Sequence, residues 1–362
     1  MELNTHLRPS RFVPRILYGV SPIGLGHATR SLVLSQELER SGAEVRFFSG
    51  GRAAEFIRKG GFGVDDIVED PVPHISEGEM SRVALWYVRS WMANRRTIPR
   101  TRRLLGAYSP DLVVCDEEFS GIVVAEELGV KRVFIADELA LGFARTWLSR
   151  KIEGRVDRWY RGLQESVDLL IIPESGESRG NRIFVGPIVR ATTKSPPETK
   201  SSYGLPEGGM VLFATSGSGL GRELALRVRD AIPTAGLAGV SLVVTGNRGP
   251  RIDGEAVYDL GVVLDNQNLV AAADLVVSTA GKSTIDEAAA AGTPIIVIPI
   301  RYHAEQERNA AALGYTSADA KRLPELVREM FGRRQPPRRF VGEVEARRAI
   351  LSLDGGGTAR TV

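Results

Sequence analysis

Short apolar runs rich in valine, isoleucine and leucine alternate with longer segments of helical period along almost the whole chain. This alternation is typical of a mostly parallel sheet with helices on both faces, so it predicts the α/β class. The runs fall into two groups, and each group is large enough for a sheet of its own. The first group comprises 16–20, 45–48, 112–115, 133–136, 169–172 and 183–185, and the second comprises 211–214, 241–245, 262–264, 275–278 and 295–298.

The segment between the two groups, 188–209, contains three prolines and lacks apolar periodicity, which predicts a linker. Each half begins with a strand, a Gly-Leu-Gly loop and a helix. We therefore predict two Rossmann-like domains that face each other across a cleft, an N-terminal domain over 1–187 and a C-terminal domain over 210–362. The last helical pattern, 341–353, is a candidate to pack back on the N-terminal domain. Ligands of open α/β sheets bind beyond the carboxyl ends of the strands.

Composition excludes several classes of protein. The 362 residues suit two domains, and 43% hydrophobic with 25% charged residues is ordinary for a globular chain. A net charge of +3 gives no reason to expect nucleic-acid binding. The solitary Cys115 excludes a disulfide framework and a multi-thiolate site. No histidines have the spacing of metal ligands, so we expect neither a metal nor a cofactor.

Neither a membrane span nor a secretory signal is recognisable. The longest uncharged stretch in the C-terminal half, 288–300, is interrupted by Gly292, Pro294 and Pro299 and is too short to cross a bilayer. The N-terminus lacks an uninterrupted apolar stretch. We expect a cytoplasmic protein.

The richest motif begins where a buried strand reaches Thr279-Ala280-Gly281 and an alanine-rich helix follows. Free N–H groups and hydroxyls at a helix start bind anions, so Gly281, Ser283 and Thr284 predict a phosphate or diphosphate site. The alternative is that the hydroxyls only cap the helix. A P-loop ATPase is excluded, because Val276 stands where that pattern requires glycine. Glu287, one turn into the helix, could reach the paired hydroxyls of a sugar.

In the first half, the loop with Gly24 and Gly26 brings His27 to a helix start that faces the predicted cleft. A lone histidine is more often a packed or capping residue than a catalyst. The helix N-terminus should disfavour the imidazolium, which would suit a neutral base or a donor to an acceptor phosphate.

Carboxylates follow two neighbouring strands of the first half, Asp116-Glu117-Glu118 and Asp137-Glu138. Strand ends of this kind carry active sites, although acidic residues also cap the helices that follow. We predict that Asp116 and Glu138 are the residues with a catalytic or acceptor-binding role.

The motif at 279–287, Gly292-Thr293-Pro294, Glu305-Gln306 and Asn309-Ala310 together resemble the nucleotide-sugar signature of the GT-B glycosyltransferases. The resemblance is to the MurG-type N-acetylglucosamine transferases and to the wider UDP-glycosyltransferase superfamily. It covers nearly the whole chain and includes the loops at 24–27 and 216–221.

The resemblance implies a role for each matching position. Glu287 would hold the ribose hydroxyls, Glu305 and Gln306 the donor sugar, and Val263 the uracil edge. Gly281, Ser283 and Thr284 would cradle the diphosphate, with Ser218 and Arg190 as looser phosphate contacts. In the N-terminal domain, Gly24 and Gly26 would shape the loop that presents His27. Thr279 and Lys282 depart from the family pattern, which leaves the base and the sugar less defined than the diphosphate site.

The function that follows is an inverting glycosyltransferase that uses a UDP-sugar, with UDP-N-acetylglucosamine or a relative as donor. The acceptor is undefined, and lipid-linked acceptors are among the candidates. Two alternatives stay open, a UDP-sugar 2-epimerase and a non-catalytic nucleotide-sugar binding subunit.

The segment 80–105 has the pattern of a membrane-surface helix, with an apolar stripe and seven arginines but no acidic residue. Pro99 is expected to break this helix. Because MurG-type transferases act on lipid-linked acceptors from the cytoplasmic side, the resemblance implies that this segment makes peripheral contact with an anionic membrane on the inner face of the cell. The alternative is a core-facing helix with solvated arginines. The stripe comprises Met80, Val83, Tyr87, Val88, Trp91 and Met92.

Overall fold

Two parallel sheets form the centre of the molecule, one from each half of the chain. The computed structural model describes residues 13–69, 71, 74–76, 79–137, 142–215, 221–247 and 250–354. The elements of the first half are β1 (Arg15–Val20), α1 (Gly26–Arg40), β2 (Glu44–Ser49), α2 (Gly51–Lys59), β3 (Val64–Asp66), β4 (His74–Ser76), β5 (Glu79–Ser81), α3 (Val83–Tyr108), β6 (Leu112–Asp116), α4 (Phe119–Glu127), β7 (Lys131–Ile135), α5 (Trp147–Ser166), β8 (Leu169–Ile172) and β9 (Arg182–Phe184).

The second half contributes α6 (Pro196–Ser202), β10 (Met210–Ala214), α7 (Gly221–Thr234), β11 (Ser241–Thr245), β12 (Val257–Gly261), α8 (Asn266–Ala272), β13 (Leu275–Ser278), α9 (Lys282–Ala291), β14 (Ile295–Val297), α10 (Ala304–Ala312), a 3₁₀ helix (Ser317–Arg322), α11 (Leu323–Met330) and α12 (Gly342–Asp354).

The first sheet has the order β3-β2-β1-β6-β7-β8-β9 and the second the order β12-β11-β10-β13-β14, with parallel pairing throughout each. Their central strands are buried on both faces, which explains the continuous apolar runs. The order reverses between β1 and β6 and again between β10 and β13. Loops after these four strands therefore diverge and leave a crevice at the carboxyl end of each sheet. The predicted α/β class and the two Rossmann-like folds are confirmed.

The last helix returns to the first domain. Ala346 and Ile350 of α12 are fully buried in the same core cluster as Ile16 and Leu34. Gly342, at the start of α12, lies so close to the carbonyl oxygens of Gly186 and Pro187 that a Cβ there would approach each to 2.5 Å. The chain thus crosses between the domains twice, and both crossings lie side by side.

Two local expectations were wrong. The strand expected at 262–264 lies at Val257–Gly261 instead, because that segment pairs with β11. Pro99 lies inside α3 and does not end it. The segment 188–209, predicted as a linker, contains a short helix, α6, which a capping box of Ser195 and Glu198 begins.

The helix α3 continues past Pro99 because its second half is packed. Thr101 is fully buried, and its hydroxyl lies 2.8 Å from that of Ser120 at the start of α4. Leu105, one turn further, lies in the core beneath the sheet. This packing outweighs the hydrogen bond that a proline removes from a helix interior.

Candidate functional site

A cleft of about 1070 Å³ lies between the domains, at the carboxyl ends of both sheets. The N-terminal wall is formed by the loop after β1, the strand ends of β6 and β7, and parts of α3, α4 and α5. The C-terminal wall is formed by the start of α9, the segment after β12 and the start of α10. Most of the predicted site residues line this cleft: Gly24, Gly26, His27, Arg190, Val263, Gly281, Ser283, Thr284, Glu287, Glu305 and Gln306.

On the N-terminal wall, His27 and Arg30 both bind Asp116. The Nδ1 atom of His27 lies 2.9 Å from Oδ1 of Asp116. Arg30 donates two hydrogen bonds to the same carboxylate, of 2.7 Å from Nε and 2.6 Å from Nη2, and a third of 2.9 Å to Asp137. The hydroxyl of Ser31 donates to Asp116 at 3.1 Å. Histidine and arginine reach one carboxylate because positions three apart lie on the same helix face.

The charged side chains around Asp116 determine one another's pKa values. Burial acts to raise the pKa of Asp116, but Arg30 and then His27 lower it to about 2. Burial is the largest single influence on His27 and acts to lower its pKa, but the hydrogen bond to Asp116 and the charge of that carboxylate together outweigh burial and raise the pKa. The expectation that the helix start would disfavour the imidazolium was therefore wrong, since a buried carboxylate in contact with the ring has the larger effect.

Nδ1 has two neighbours, Oδ1 of Asp116 at 2.9 Å, which can only accept, and Nη2 of Arg30 at 3.1 Å, which can only donate. Because the contact with the ionised carboxylate is the shorter one, the proton of the neutral ring is assigned to Nδ1. Nε2 is then the ring nitrogen with a free lone pair, and His27 lines the cleft. A histidine oriented by a buried aspartate is the arrangement of a general base.

Glu117, next along the chain, also faces the cleft. Its backbone is left-handed, with φ 50, an uncommon conformation for a residue other than glycine. The hydroxyl of Tyr160 donates to Oε1 of Glu117 at 2.5 Å. Burial, and then the charge of Asp137, raise the pKa of Glu117 to about 7. Strain at a strand end and a shifted pKa are typical of functional positions.

The other carboxylates of this group differ in their surroundings. Glu118 caps α4 by accepting from the N–H groups of Ser120 at 2.9 Å and Gly121 at 2.8 Å, which is the capping role considered as the alternative. Asp137 pairs with Arg30. Glu138, predicted as catalytic, lies outside the described residues, as does Ser218.

On the C-terminal wall, α9 begins at Lys282 after Gly281, which has no side chain to cap the helix. The start of α1 faces it, because a Cβ on Gly26 would lie 3.1 Å from the Ser283 hydroxyl. Two helix N-termini, one from each domain, therefore meet in the cleft, and both favour an anion between them. Helix α9 ends at Ala291 and is followed by Gly292, whose backbone is left-handed with φ 67.

Glu287 is 4% exposed in its side chain and pairs with Arg190, which is 14% exposed. Nε and Nη2 of Arg190 donate to Oε1 of Glu287 at 2.9 and 2.8 Å. Arg190 also donates to the carbonyl of Leu264, beside Val263. Sequence reasoning expected Arg190 at a phosphate. In this structure it orients Glu287 and leaves Oε2 for another partner.

Glu305 and Gln306 lie at the start of α10 in different surroundings. Gln306 is buried, and its Oε1 accepts from the N–H of Ile300 at 3.0 Å, so this side chain braces the preceding loop. Burial, and then the charge of Asp137 across the cleft, raise the pKa of Glu305 to about 7.

Several cleft residues were not found from the sequence. Arg30 had a usable signal, because it lies one helical turn after His27. His303 of the C-terminal wall packs edge-on against Phe143 at 5.3 Å, and burial lowers its pKa to about 4. The apolar part of the N-terminal wall comes from distant segments and left no local pattern. It includes Phe56, Trp86, Phe119, Phe143, Val156 and Trp159.

Among the residues that the structure describes, no three histidine, cysteine, aspartate or glutamate side chains are grouped so as to hold a metal ion. None of the described helices is long and apolar enough to cross a membrane.

Comparison with known families gives two matches, one in each half of the chain. The family described as "Glycosyl transferase family 1" matches residues 14–145. The family described as "Glycosyltransferase family 28 C-terminal domain" matches residues 251–323. The first match covers the wall with His27 and Asp116, and the second covers the wall with Glu287 and Glu305.

Similarity over nearly the whole chain extends to proteins named as glycosyltransferases. An uncharacterized glycosyltransferase of Methanosarcina acetivorans is 26% identical, over 96% of this chain and 97% of the relative. A UDP-N-acetylglucosamine–N-acetylmuramyl-(pentapeptide) pyrophosphoryl-undecaprenol N-acetylglucosamine transferase of Mycobacterium avium is also 26% identical, over 92% of this chain and 87% of the relative.

Solved structures share the two-domain fold. A spinosyn rhamnosyltransferase superimposes with a TM-score of 0.60 at 17% identity, over 93% of this chain and 96% of the other. The calicheamicin glycosyltransferase CalG4 gives a TM-score of 0.60 at 20% identity, over 94% of each chain. At these identities the likeness concerns the fold alone.

Proposed function

This chain is a glycosyltransferase of the GT-B fold, and we propose that it moves a sugar from a UDP-sugar to an acceptor hydroxyl with inversion at the anomeric carbon. The observation that carries the proposal is the pairing of the two walls. A histidine oriented by a buried aspartate, His27 with Asp116, faces a helix N-terminus that suits a diphosphate. An acid-base group and a leaving-group site thus share one cleft.

For the donor, we assign the diphosphate to the first turn of α9, around Gly281, Ser283 and Thr284. Glu287 would accept from the ribose hydroxyls through the oxygen that Arg190 leaves free. Val263 would lie at the uracil edge, and Glu305 and Gln306 near the sugar. The family resemblance supports UDP-N-acetylglucosamine or a relative, and similar proteins of Mycobacterium avium and Mycolicibacterium paratuberculosis carry that donor in their names.

In the proposed reaction, Nε2 of His27 takes the proton from the acceptor hydroxyl as its oxygen attacks the anomeric carbon. The bond from that carbon to the diphosphate oxygen breaks, and UDP leaves with the electron pair. A single displacement inverts the configuration. Backbone N–H groups of α9 stabilise the negative charge that develops on the leaving diphosphate. Asp116 keeps the histidine in the tautomer that this step needs.

The test is a mass-spectrometric screen of UDP-sugars with the purified protein. Release of free UDP with hydrolysed or transferred sugar supports the proposal. A product that keeps its nucleotide and has an altered sugar identifies a 2-epimerase. Binding of UDP-sugars without any turnover, even with added acceptors, identifies a non-catalytic binding subunit.

We extend the proposal to a lipid-linked acceptor and a peripheral contact with an anionic membrane on the cytoplasmic side. The predicted stripe divides in the structure, since Val83 and Tyr87 are buried while Val88, Trp91 and Met92 are exposed. Trp91 is 59% exposed and also lines the cleft, so the exposed apolar surface continues into the site.

The neighbouring helix α5 adds to this surface. Trp147 is 74% exposed and Leu148 is 55% exposed. Basic side chains stack on two of the tryptophans, Arg95 on Trp91 at 4.9 Å and Lys151 on Trp147 at 5.3 Å. Exposed aromatic residues with adjoining cations suit an anionic lipid interface.

Sedimentation with vesicles that contain anionic lipid tests the membrane contact. The variant R89Q/R95Q/R96Q removes three exposed charges of α3, and R227Q/R229Q/R322Q removes as many from the surface of the C-terminal domain as a matched control. We expect wild type and control to sediment with the vesicles at low salt and the α3 variant to stay in the supernatant. Equal recovery of all three in the supernatant would eliminate the membrane contact and favour a soluble acceptor.

A further inference from the structure

Arg30 is the cation of the N-terminal wall that touches the proposed base and its aspartate. Its side chain is 12% exposed, and it spans Asp116 and Asp137 at the ends of neighbouring strands. Its Nε donates to Oδ2 of Asp116 at 2.7 Å, and its Nη2 donates to Oδ1 at 2.6 Å. A bidentate arginine fixes the plane of a carboxylate as well as its position.

The orientation of Asp116 decides which ring nitrogen of His27 carries the proton. Oδ1 accepts hydrogen bonds from both His27 and Arg30, whereas Oδ2 accepts hydrogen bonds from Arg30 and Ser31. All four bonds are compatible when His27 donates from Nδ1, since a carboxylate has about four acceptor positions. A rotation of the carboxylate would break the bond to Nδ1 and allow the proton to move to Nε2.

The charge of Arg30 acts on His27 as well. Nη2 lies 3.1 Å from Nδ1 of His27, a distance at which two cations repel. Four acidic side chains act in the opposite sense, three at two strand ends of this domain and one on a helix of the other domain. They are Asp116 and Glu117 at the end of β6, Asp137 after β7 and Glu305 on α10. Without Arg30, His27 would face an uncompensated negative cluster and would hold its second proton at neutral pH.

We propose that Arg30 is a positioning residue, which fixes Asp116 so that Nε2 of His27 stays free to accept the proton of the acceptor hydroxyl. The inference rests on the proposed function in so far as His27 is the base. Arg30 itself touches neither donor nor acceptor in this scheme. Its effect should therefore be visible in the protonation of His27 without any substrate.

The experiment is an NMR titration of the protein with ¹⁵N-labelled histidine, with the His27 signal identified by its absence in H27A. In the wild type we expect the neutral ring to carry its proton on Nδ1. In R30Q the cation and the bidentate contact are both lost, and the His27 pKa should rise by about one unit or more. In R30K the charge is kept and the fork geometry is lost, so the tautomer should become mixed with a smaller shift.

A second variant protects the test against a failure of R30Q to fold, since R30Q leaves Asp116 buried without its main partner. R30Q/D116N removes both charges, and burial should then take the pKa of His27 below its wild-type value. The two variants must thus shift in opposite directions. An unchanged tautomer and pKa in R30K, together with no difference between wild type and R30Q/D116N, would overturn the inference.

UDP binding, followed by calorimetry in the same samples, separates this inference from the proposed function. Arg30 belongs to the N-terminal wall, so its variants should bind UDP within about twofold of the wild type. A His27 signal that responds as described in a protein that binds no UDP would refute the proposed function and retain the role of Arg30. Normal UDP binding with an unresponsive His27 would refute the role of Arg30 alone.

Discussion

The two walls of the cleft differ in how far apart in the sequence their residues lie. The C-terminal wall is built largely from a short stretch of chain, in which β13, α9, β14 and α10 follow one another directly. The N-terminal wall joins His27, Asp116 and Asp137, which are far apart in the sequence, through one buried network. The first wall is a local motif with a fixed spacing, while the second exists only once the sheet has formed. We assign donor binding to the first wall and proton transfer to the second, and this division can be tested.

The largest expected effect is that of H27A on turnover. Removal of a general base should lower the rate of UDP release by roughly two to four decades, with UDP affinity nearly intact because the donor rests on the other wall. UDP release from the UDP-sugar found in the screen, together with calorimetric titration, measures both quantities.

H303A provides a matched control for that variant. His303 lies in the same cleft but on the C-terminal wall, where its Nδ1 accepts from the N–H of Gln306 at the start of α10. Its loss should affect the rate far less. A collapse of UDP binding in H27A, with an unchanged rate per bound complex, would show that His27 is structural.

E287A tests the opposite wall. A charged hydrogen bond to ribose contributes about 1.5 to 3 kcal/mol, so UDP affinity should fall by roughly one to two decades while the fold survives. Glu287 also neutralises Arg190, however, and the unpaired cation could weaken binding by itself.

The double variant R190A/E287A separates these two causes. If the ribose contact matters, UDP affinity stays low when the arginine is removed as well. Recovery of wild-type affinity in the double variant would assign the loss to Arg190. An unchanged affinity in E287A would reject the assignment of α9 as the ribose site.

The same contrast explains what could be predicted from the sequence. Apolar runs gave the fold class and nearly every long strand, because a parallel strand buried on both faces is a continuous apolar run. β12 was misplaced by several residues, since its burial is only partial and the run at 262–264 is more apolar. The start of α9 and the position of Glu287 follow from local spacing.

The sequence could not give the partners of those residues. Arg190 precedes β10 in the sequence and Glu287 follows β13, so the two residues pair only in the folded protein. The pKa of His27 was expected to fall and instead rises, because Asp116 approaches it only through the pairing of β1 with β6. The passage of α3 through Pro99 likewise depends on Thr101 meeting α4. Local sequence patterns predict helices and strands. Tertiary contacts determine the pKa of a side chain such as His27 and whether a helix such as α3 continues past a proline.

A third prediction concerns Glu305, where the two walls interact electrostatically. Burial and then Asp137 raise its pKa to about 7, so the folded state binds a proton more tightly than the unfolded state does. The contribution to stability is then full below the ordinary glutamate pKa and is lost as the pH rises toward 7. The glutamine of E305Q cannot ionise, so this variant does not lose that stability at high pH. Its free energy of unfolding at pH 8 should be higher than that of the wild type by on the order of 1 to 3 kcal/mol.

Urea unfolding at pH 4 and pH 8 measures the effect, with E329Q, an exposed site on α11, as the control. The advantage of E305Q should shrink toward zero at pH 4, and E329Q should show no such trend. A stabilisation of E305Q that is equal at both pH values would mean that Glu305 does not titrate in this range.

The smallest expected effect is that of G26A, which alters the point where the two walls touch. A methyl group at this position would lie 3.1 Å from the Ser283 hydroxyl, so that hydroxyl or the start of α1 would have to shift by a few tenths of an ångström. Misplacement of reacting groups by a full ångström can lower rates by about a hundredfold, and a shift this small should lower kcat/KM by a factor of about two to five. UDP affinity should change less, because the donor contacts of the C-terminal wall stay in place.

A methyl group on Gly63 would meet no other part of the described chain within 4 Å, so G63A serves as the control and should leave kcat/KM unchanged. An unaltered kcat/KM in G26A would mean that the walls react in a more open arrangement than this one, and a loss of UDP affinity larger than the loss of rate would place part of the donor site on the N-terminal wall.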